Sequence, residues 1–173
     1  MIQRNSKLLD ADNFIFSVLD IAHLKLFGPC LWQGEDINSP EAVGATFAAF
    51  DEKTKSCIAT LTLADVTGDT TEPDTSELDE LDVPHLDAVI RGGVESQVDI
   101  VEWLGSQLVM MSGLRVLDTE YVERRGTSEW MSIVIRVTHQ DKRFAAIGAF
   151  DRTWGGNLGA EVVGSLKTLK FVD

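Results

Sequence analysis

Residues 114–150 read LRVLDTEYVERRGTSEWMSIVIRVTHQDKRFAAIGAF. Three apolar runs stand out, Leu114 to Glu123, Trp130 to Thr138 and Phe144 to Phe150. In the middle run Ile133, Ile135 and Val137 fall on one side, the period-2 pattern of a strand with one face buried. Arg124-Arg125-Gly126-Thr127-Ser128 and His139-Gln140-Asp141-Lys142 separate the runs. Connections this short join antiparallel neighbours, because a parallel crossover needs a dozen or more residues. The stretch therefore predicts a three-stranded antiparallel meander.

Upstream, Val43, Ala45, Phe47 and Ala49 alternate, Phe50 to Ser56 is a polar turn, and Ile58, Thr60, Thr62 and Ala64 alternate with Cys57, Ala59, Leu61 and Leu63. Residues 43–66 thus read as a hairpin. Phe14 to Leu19 reads as a strand, His23 to Phe27 continues apolar until Gly28-Pro29, and Cys30-Leu31-Trp32 suggests a short strand. Glu35 to Pro40 reads as a polar loop. Pro84 to Ile90 predicts a short helix ending at Gly92-Gly93. Val101, Leu104, Leu108 and Met111 share a helical spacing before Ser112-Gly113, which predicts a helix over 98–111. Leu158 to Leu169 predicts a terminal helix. The fold class expected is α+β, an antiparallel β-sheet flanked by helices, in one domain spanning 1–173. Its expected core includes Trp103, Leu104, Leu108, Ile133, Ile135, Ile147, Phe150 and Leu166.

The order of the last third, a meander and then a helix carrying Val162-Val163-Gly164-Ser165-Leu166-Lys167, resembles the PsbP-like and DcrB-like superfamily, whose last helix ends in a Ser-apolar-Lys signature. The hairpin at 43–66 and the helix at 98–111 sit where that fold expects them. The match runs from Leu114 to Phe171, about a third of the 173 residues. A long acidic insert departs from the pattern. The resemblance implies a PsbP/DcrB-like sandwich acting as a non-catalytic binding domain. Members include photosystem assembly factors, a nuclear-transport GTPase cofactor and bacterial adaptors that chaperone secreted effectors. It brings no family-wide catalytic residue to carry over.

Charge narrows the partners. The chain has 28 acidic and 15 basic residues, a formal net charge of −13. Phosphate backbones and anionic lipid surfaces repel such a protein, so nucleic acid is not expected as a partner and an anionic membrane surface is disfavoured. A protein partner with a basic or an apolar surface fits, since complementary fields speed encounter. The acid is concentrated at 65–82, in Asp65, Asp69, Glu72, Asp74, Glu77, Asp79, Glu80 and Asp82, with no Lys or Arg between Lys55 and Arg91. Like charges with few large apolar groups predict an exposed, mobile loop. Asp74, Glu77, Asp79 and Glu80 are its candidate partner-binding carboxylates. Trp32, Trp130 and Trp154 lie near turns or strand ends and are the candidate aromatic anchors.

Chemistry-bearing motifs are sparse. No Gly-x-Ser-x-Gly elbow and no His-Glu-x-x-His occurs, and His23, His85 and His139 lie far apart. Asp65-Val66-Thr67-Gly68-Asp69 lacks the ligand order of a calcium loop. The glycines at 155, 156 and 159 lack the Lys-Ser/Thr of a phosphate loop. Cys30 and Cys57 sit in apolar contexts and read as free thiols. No catalytic, cofactor-binding or metal residue is therefore assigned. Asp10, Asp12 and Asn13 interrupt the N-terminal apolar stretch, which argues against a signal peptide, and no run approaches the roughly 18 apolar residues of a membrane span. A cytoplasmic location is expected, and homo-oligomerisation stays open. The function expected is protein binding of adaptor, chaperone or immunity type. Two alternatives stand beside it: an enzyme with a site around Cys30 or the acidic loop, and a small-ligand-binding protein.

Overall fold

Alternation over residues 43–66 and 114–150 becomes the centre of an antiparallel sheet in a computed structural model, which describes residues 9–11, 14–21, 24–29, 33–51, 53–154 and 156–171. In chain order the elements are β1 (Leu9–Ala11), β2 (Phe14–Ile21), β3 (Leu24–Pro29), β4 (Gln33–Asn38), β5 (Val43–Phe50), β6 (Cys57–Asp65), α1 (Val83–Glu95), β7 (Asp99–Met111), β8 (Leu114–Arg125), β9 (Ser128–His139), β10 (Lys142–Asp151), a 3-10 turn (Arg152–Trp154), α2 (Gly156–Leu166) and β11 (Lys170–Phe171). Seven strands form one sheet in the order β4-β5-β6-β10-β9-β8-β7, and β1-β2-β3-β11 form a smaller one. All pairings are antiparallel.

Register divides the large sheet into two faces. On the inner face Leu61, Leu63, Val116, Ile133, Ile135, Phe144 and Ala146 meet Val162, Leu166 and Leu169 in the main core. Gly148 sets how closely α2 approaches: a Cβ there would stand 2.5 Å from Val162 Cγ1 and 2.8 Å from Leu166 Cδ1. The outer face carries α1, where the Trp103 indole N–H donates to both Asp87 carboxylate oxygens at 3.1 Å and its ring stacks on Tyr121 at 5.6 Å.

The expected helix at 98–111 is a strand. The β7–β8 register shifts between Ile100 and Glu102 and again between Trp103 and Gly105, so Val101 and Leu104 are extra, bulged residues. Two bulges in a period-2 strand place apolar residues at 101, 104, 108 and 111, which imitates a helical stripe. Gly105 at φ +107° is a conformation no α-helix contains. The expected core changes with it. Ile133, Ile135 and Leu166 are buried, but Trp103, Leu108, Ile147 and Phe150 are half-buried and Leu104 is 49% exposed.

Three smaller expectations also shift. The polar loop at 35–40 is largely the edge strand β4, whose Glu35 and Asp36 suit an edge open to water. Helix α1 runs through Gly92-Gly93 to Glu95, where Arg91 pairs with Glu95 at 2.7 Å. The short strand expected at Cys30-Leu31-Trp32 lies outside the described residues.

The acidic segment is fastened to the outer face. Asp65, Asp69 and Asp74 each accept the backbone N–H and the hydroxyl of the Thr or Ser two residues on, closing three local turns. Thr75 is fully buried and exchanges hydrogen bonds with Thr138: each N–H donates to the other's hydroxyl oxygen, at 2.9 and 2.8 Å. Arg136 Nε reaches Glu72 at 2.7 Å, and Arg143 donates to the carbonyls of Glu72 and Thr67 at 2.6 and 3.0 Å. The cations missing from this segment come from β9 and β10, so the structure has a strap where the sequence suggests a free loop.

Candidate binding site

Two concavities share the end of the sheet that holds the turn Arg152–Trp154. The first is an apolar groove of about 580 Å³ on the inner face. Leu104, Val122, Met131 and Phe150 supply its floor from β7 to β10, and Gly159, Ala160 and Val163 its α2 wall. The small residues of α2 make the trough: a Cβ at Gly159 would stand 2.9 Å from the Phe150 ring. Glu102 and Arg152 complete the lining, and Arg152 is paired with Glu129 at 3.2 Å. The β7 bulge exposes Leu104 here. Nothing in the local sequence signals this site, because it depends on a bulge and on where α2 docks.

The second is a polar cleft of about 430 Å³, lined by Asp51, Thr54, Ser56, Cys57, Ile58, Arg125, Ser128, Trp130, Asp151, Thr153 and Trp154. Beneath it Glu123, 3% exposed, accepts from Arg125 Nη2 at 2.5 Å, Arg125 Nε at 3.0 Å and Ser132 Oγ at 2.9 Å. The Arg125 guanidinium lies 4.3 Å over the Trp130 ring. The Asp51 carboxylate accepts the Thr54 hydroxyl and the backbone N–H groups of Thr54 and Lys53, and these bonds hold its pKa below the ordinary carboxylate value. Burial pushes the Cys57 thiol up, the reverse of what a nucleophile needs. His139 stands at the opposite end of β9, stacked on Phe171, and His85 lies on α1, so neither meets Cys57.

The candidate residues separate. Trp130 is 6% exposed because Arg125 on the neighbouring strand covers it, so it is not a free anchor. Trp154 is 48% exposed beside the cleft, and Trp32 lies outside the described residues. Asp74, Glu77, Asp79 and Glu80 are exposed on the strap, where Asp74 and Asp79 also hold backbone turns. The strap and the Trp154 cleft are thus separate surfaces. Among the described residues no group of three or more His, Cys, Asp or Glu is placed to hold a metal ion. No helix among them is long and apolar enough to cross a membrane.

No family model and no curated protein matches the sequence. The structure, however, is similar to that of the cyanobacterial PsbP (CyanoP) from Synechocystis sp. PCC 6803, with a TM-score of 0.62 at 13% identity over 95% of this chain and 98% of that one. It is also similar to a Pseudomonas aeruginosa protein of unknown function described as a putative regulator, with a TM-score of 0.52 at 12% identity over 91% and 98%. The chain therefore has a PsbP-like α+β fold. At these identities the likeness concerns the fold.

Proposed function

We propose that this protein is a non-enzymatic binding domain of adaptor, chaperone or immunity type that masks an apolar segment of a protein partner. The groove between α2 and the sheet carries the reading: its walls are apolar, and Leu104 stands half in water where a partner would cover it. An exposed apolar trough of this kind marks an interaction site. Charge sets the flanks of the segment. Glu102 edges the groove, Arg152 is already paired, and the chain carries −13, so basic residues beside the apolar stretch are favoured. The exposed strap carboxylates Asp74, Glu77, Asp79 and Glu80 add long-range attraction for such a partner.

A Leu- and Ala-rich helical peptide with lysines at both ends, carrying a fluorophore, provides the test. Wild-type protein is expected to raise its anisotropy saturably, and Leu104→Asp to weaken binding at least about tenfold by placing a charge against the apolar segment. Binding equal in the two proteins would remove the groove as the site. Because Leu104 is half exposed, the variant should fold as the wild type does, which circular dichroism checks.

A further inference from the structure

Asp51 follows β5 and Asp151 ends β10, with β6 between the two strands. Both line the polar cleft, and they are only 9% and 8% exposed. Asp151 gives Oδ1 to the Thr153 N–H at 2.9 Å and to the Thr153 hydroxyl at 2.7 Å. Its Oδ2 takes no hydrogen bond among the described residues. No ion pair among them reaches either carboxylate. Arg125 is the cation in the cleft, and its charge is matched by Glu123, whose carboxylate is buried. Arg152 is matched by Glu129, and Lys53 is exposed beside Asp51. Asp51 and Asp151 are thus two carboxylates of the cleft that no ion pair among the described residues neutralises, with Lys53 beside Asp51.

Arg125 also shows what this cleft accommodates. Its guanidinium lies on an indole, Trp130, and is backed by a carboxylate, Glu123. Trp154 and Asp151, three residues apart around the 3-10 turn, also line the cleft, and among the described residues no guanidinium pairs with Asp151 or lies over Trp154, Arg152 being paired with Glu129. An indole face and a carboxylate together favour a cation that sheds part of its water, and a net charge of −13 draws one in.

We propose that this cleft seats one basic side chain, arginine or lysine, presented by the protein partner, with Trp154 against its flat or ammonium end and Asp151 and Asp51 as its counter-charges. The partner's being a protein rests on the binding-domain reading above. The cleft's taste for a cation does not, and it can be tested alone.

The probes are Nα-acetyl-arginine amide and Nα-acetyl-lysine amide, titrated into the full chain at low salt and followed by amide chemical shifts and tryptophan fluorescence. The neutral Nα-acetyl-norleucine amide serves as control. Saturable shifts confined to residues around Asp51, Asp151 and Trp154 are expected from the cations by about 20 mM, weakening as added salt shortens the Debye length. Asp151→Asn keeps the Oδ1 acceptor for Thr153 and removes the charge, and should weaken binding about tenfold. Trp154→Ala, at an exposed position, should weaken it about threefold. Leu104→Asp should leave it unchanged, so failure of the groove and failure of the cleft are told apart. No saturable shift, equal shifts from the norleucine amide, or wild-type binding by both cleft variants would overturn the proposal.

Discussion

Gly148→Val is expected to cost about 3 kcal/mol of stability or more, the high end for overpacking a well-filled core. Gly148 faces α2 from the centre of the sheet, and even a Cβ there would overlap Val162 and Leu166. Both of those side chains are fully buried, so neither can swing into water. The helix must lift, which opens the main core and the groove together. Leu166→Ala, which removes a buried side chain from the same contact, should cost about 2–5 kcal/mol. Leu104→Ala should stay within about 0.5 kcal/mol, because half of that side chain is already in water. Urea unfolding midpoints separate the three. A Gly148→Val cost near zero would mean that α2 does not pack where the structure puts it.

Asp118→Asn is expected to stabilise the protein at pH 7.5 by about 1–3 kcal/mol and to change little at pH 4. Asp118 lies on the inner face of β8, 9% exposed, with Oδ1 buried and without a hydrogen-bond partner among the described residues. Among the described residues its Oδ2 has only the Gln107 amide, at 3.5 Å. Burial, reinforced by the Glu120 charge, pushes its pKa up to about 6 from an ordinary 3.8. A raised acid pKa means that the folded state holds the proton more tightly than the unfolded chain. The penalty is therefore absent below about pH 4, grows as pH rises to about 6, and is complete above it. Asparagine carries no charge and escapes the penalty, while its carbonyl still accepts from Gln107. Unfolding free energies at pH 4.0 and 7.5 provide the check. An equal gain at both values would assign the effect to packing, and no gain would show the carboxylate to be better solvated than its burial implies.

How much could be read from the chain depends on how local the deciding physics is. The meander and the 43–66 hairpin were legible because alternation and turn chemistry agree: Lys55, Gln140, Asp141 and Gly126 take positive φ where polar turns were expected. The PsbP-like resemblance, built on the same meander and on Val162 to Lys167, agrees with the fold found. Strand β7 was misread because its bulges at Val101 and Leu104 are set by pairing with β8, which no spacing rule contains. Strand β4 was hidden because Glu35 and Asp36 look like a loop unless a neighbour supplies the ladder. Strands β1 and β11, of three and two residues, carry too little pattern to notice.

Site residues divide along the same line. Trp154 could be placed near a turn from Gly155-Gly156, and it is exposed there. Trp130 could not be judged, because the group that buries it, Arg125, comes from the next strand. The strap's carboxylates were plain in the composition, whereas their fastening through Arg136, Arg143 and Thr138 joins residues more than 60 positions apart. The groove needed Gly148, Gly159 and the Leu104 bulge at once, three features that become one site only after folding.

The groove between α2 and the sheet is the proposed seat of a protein partner. The direct measurement is purification of the chain from its native host, with mass spectrometry of what co-elutes, for the wild type, Leu104→Asp and Met110→Asp. Met110 is 70% exposed on the same strand but does not line the groove, so it controls for added charge. One protein at a fixed ratio to the wild type and to Met110→Asp, absent from Leu104→Asp and containing an apolar segment flanked by basic residues, is the predicted result. A metabolite or a metal ion in place of a protein, or a protein retained equally by Leu104→Asp, would contradict it.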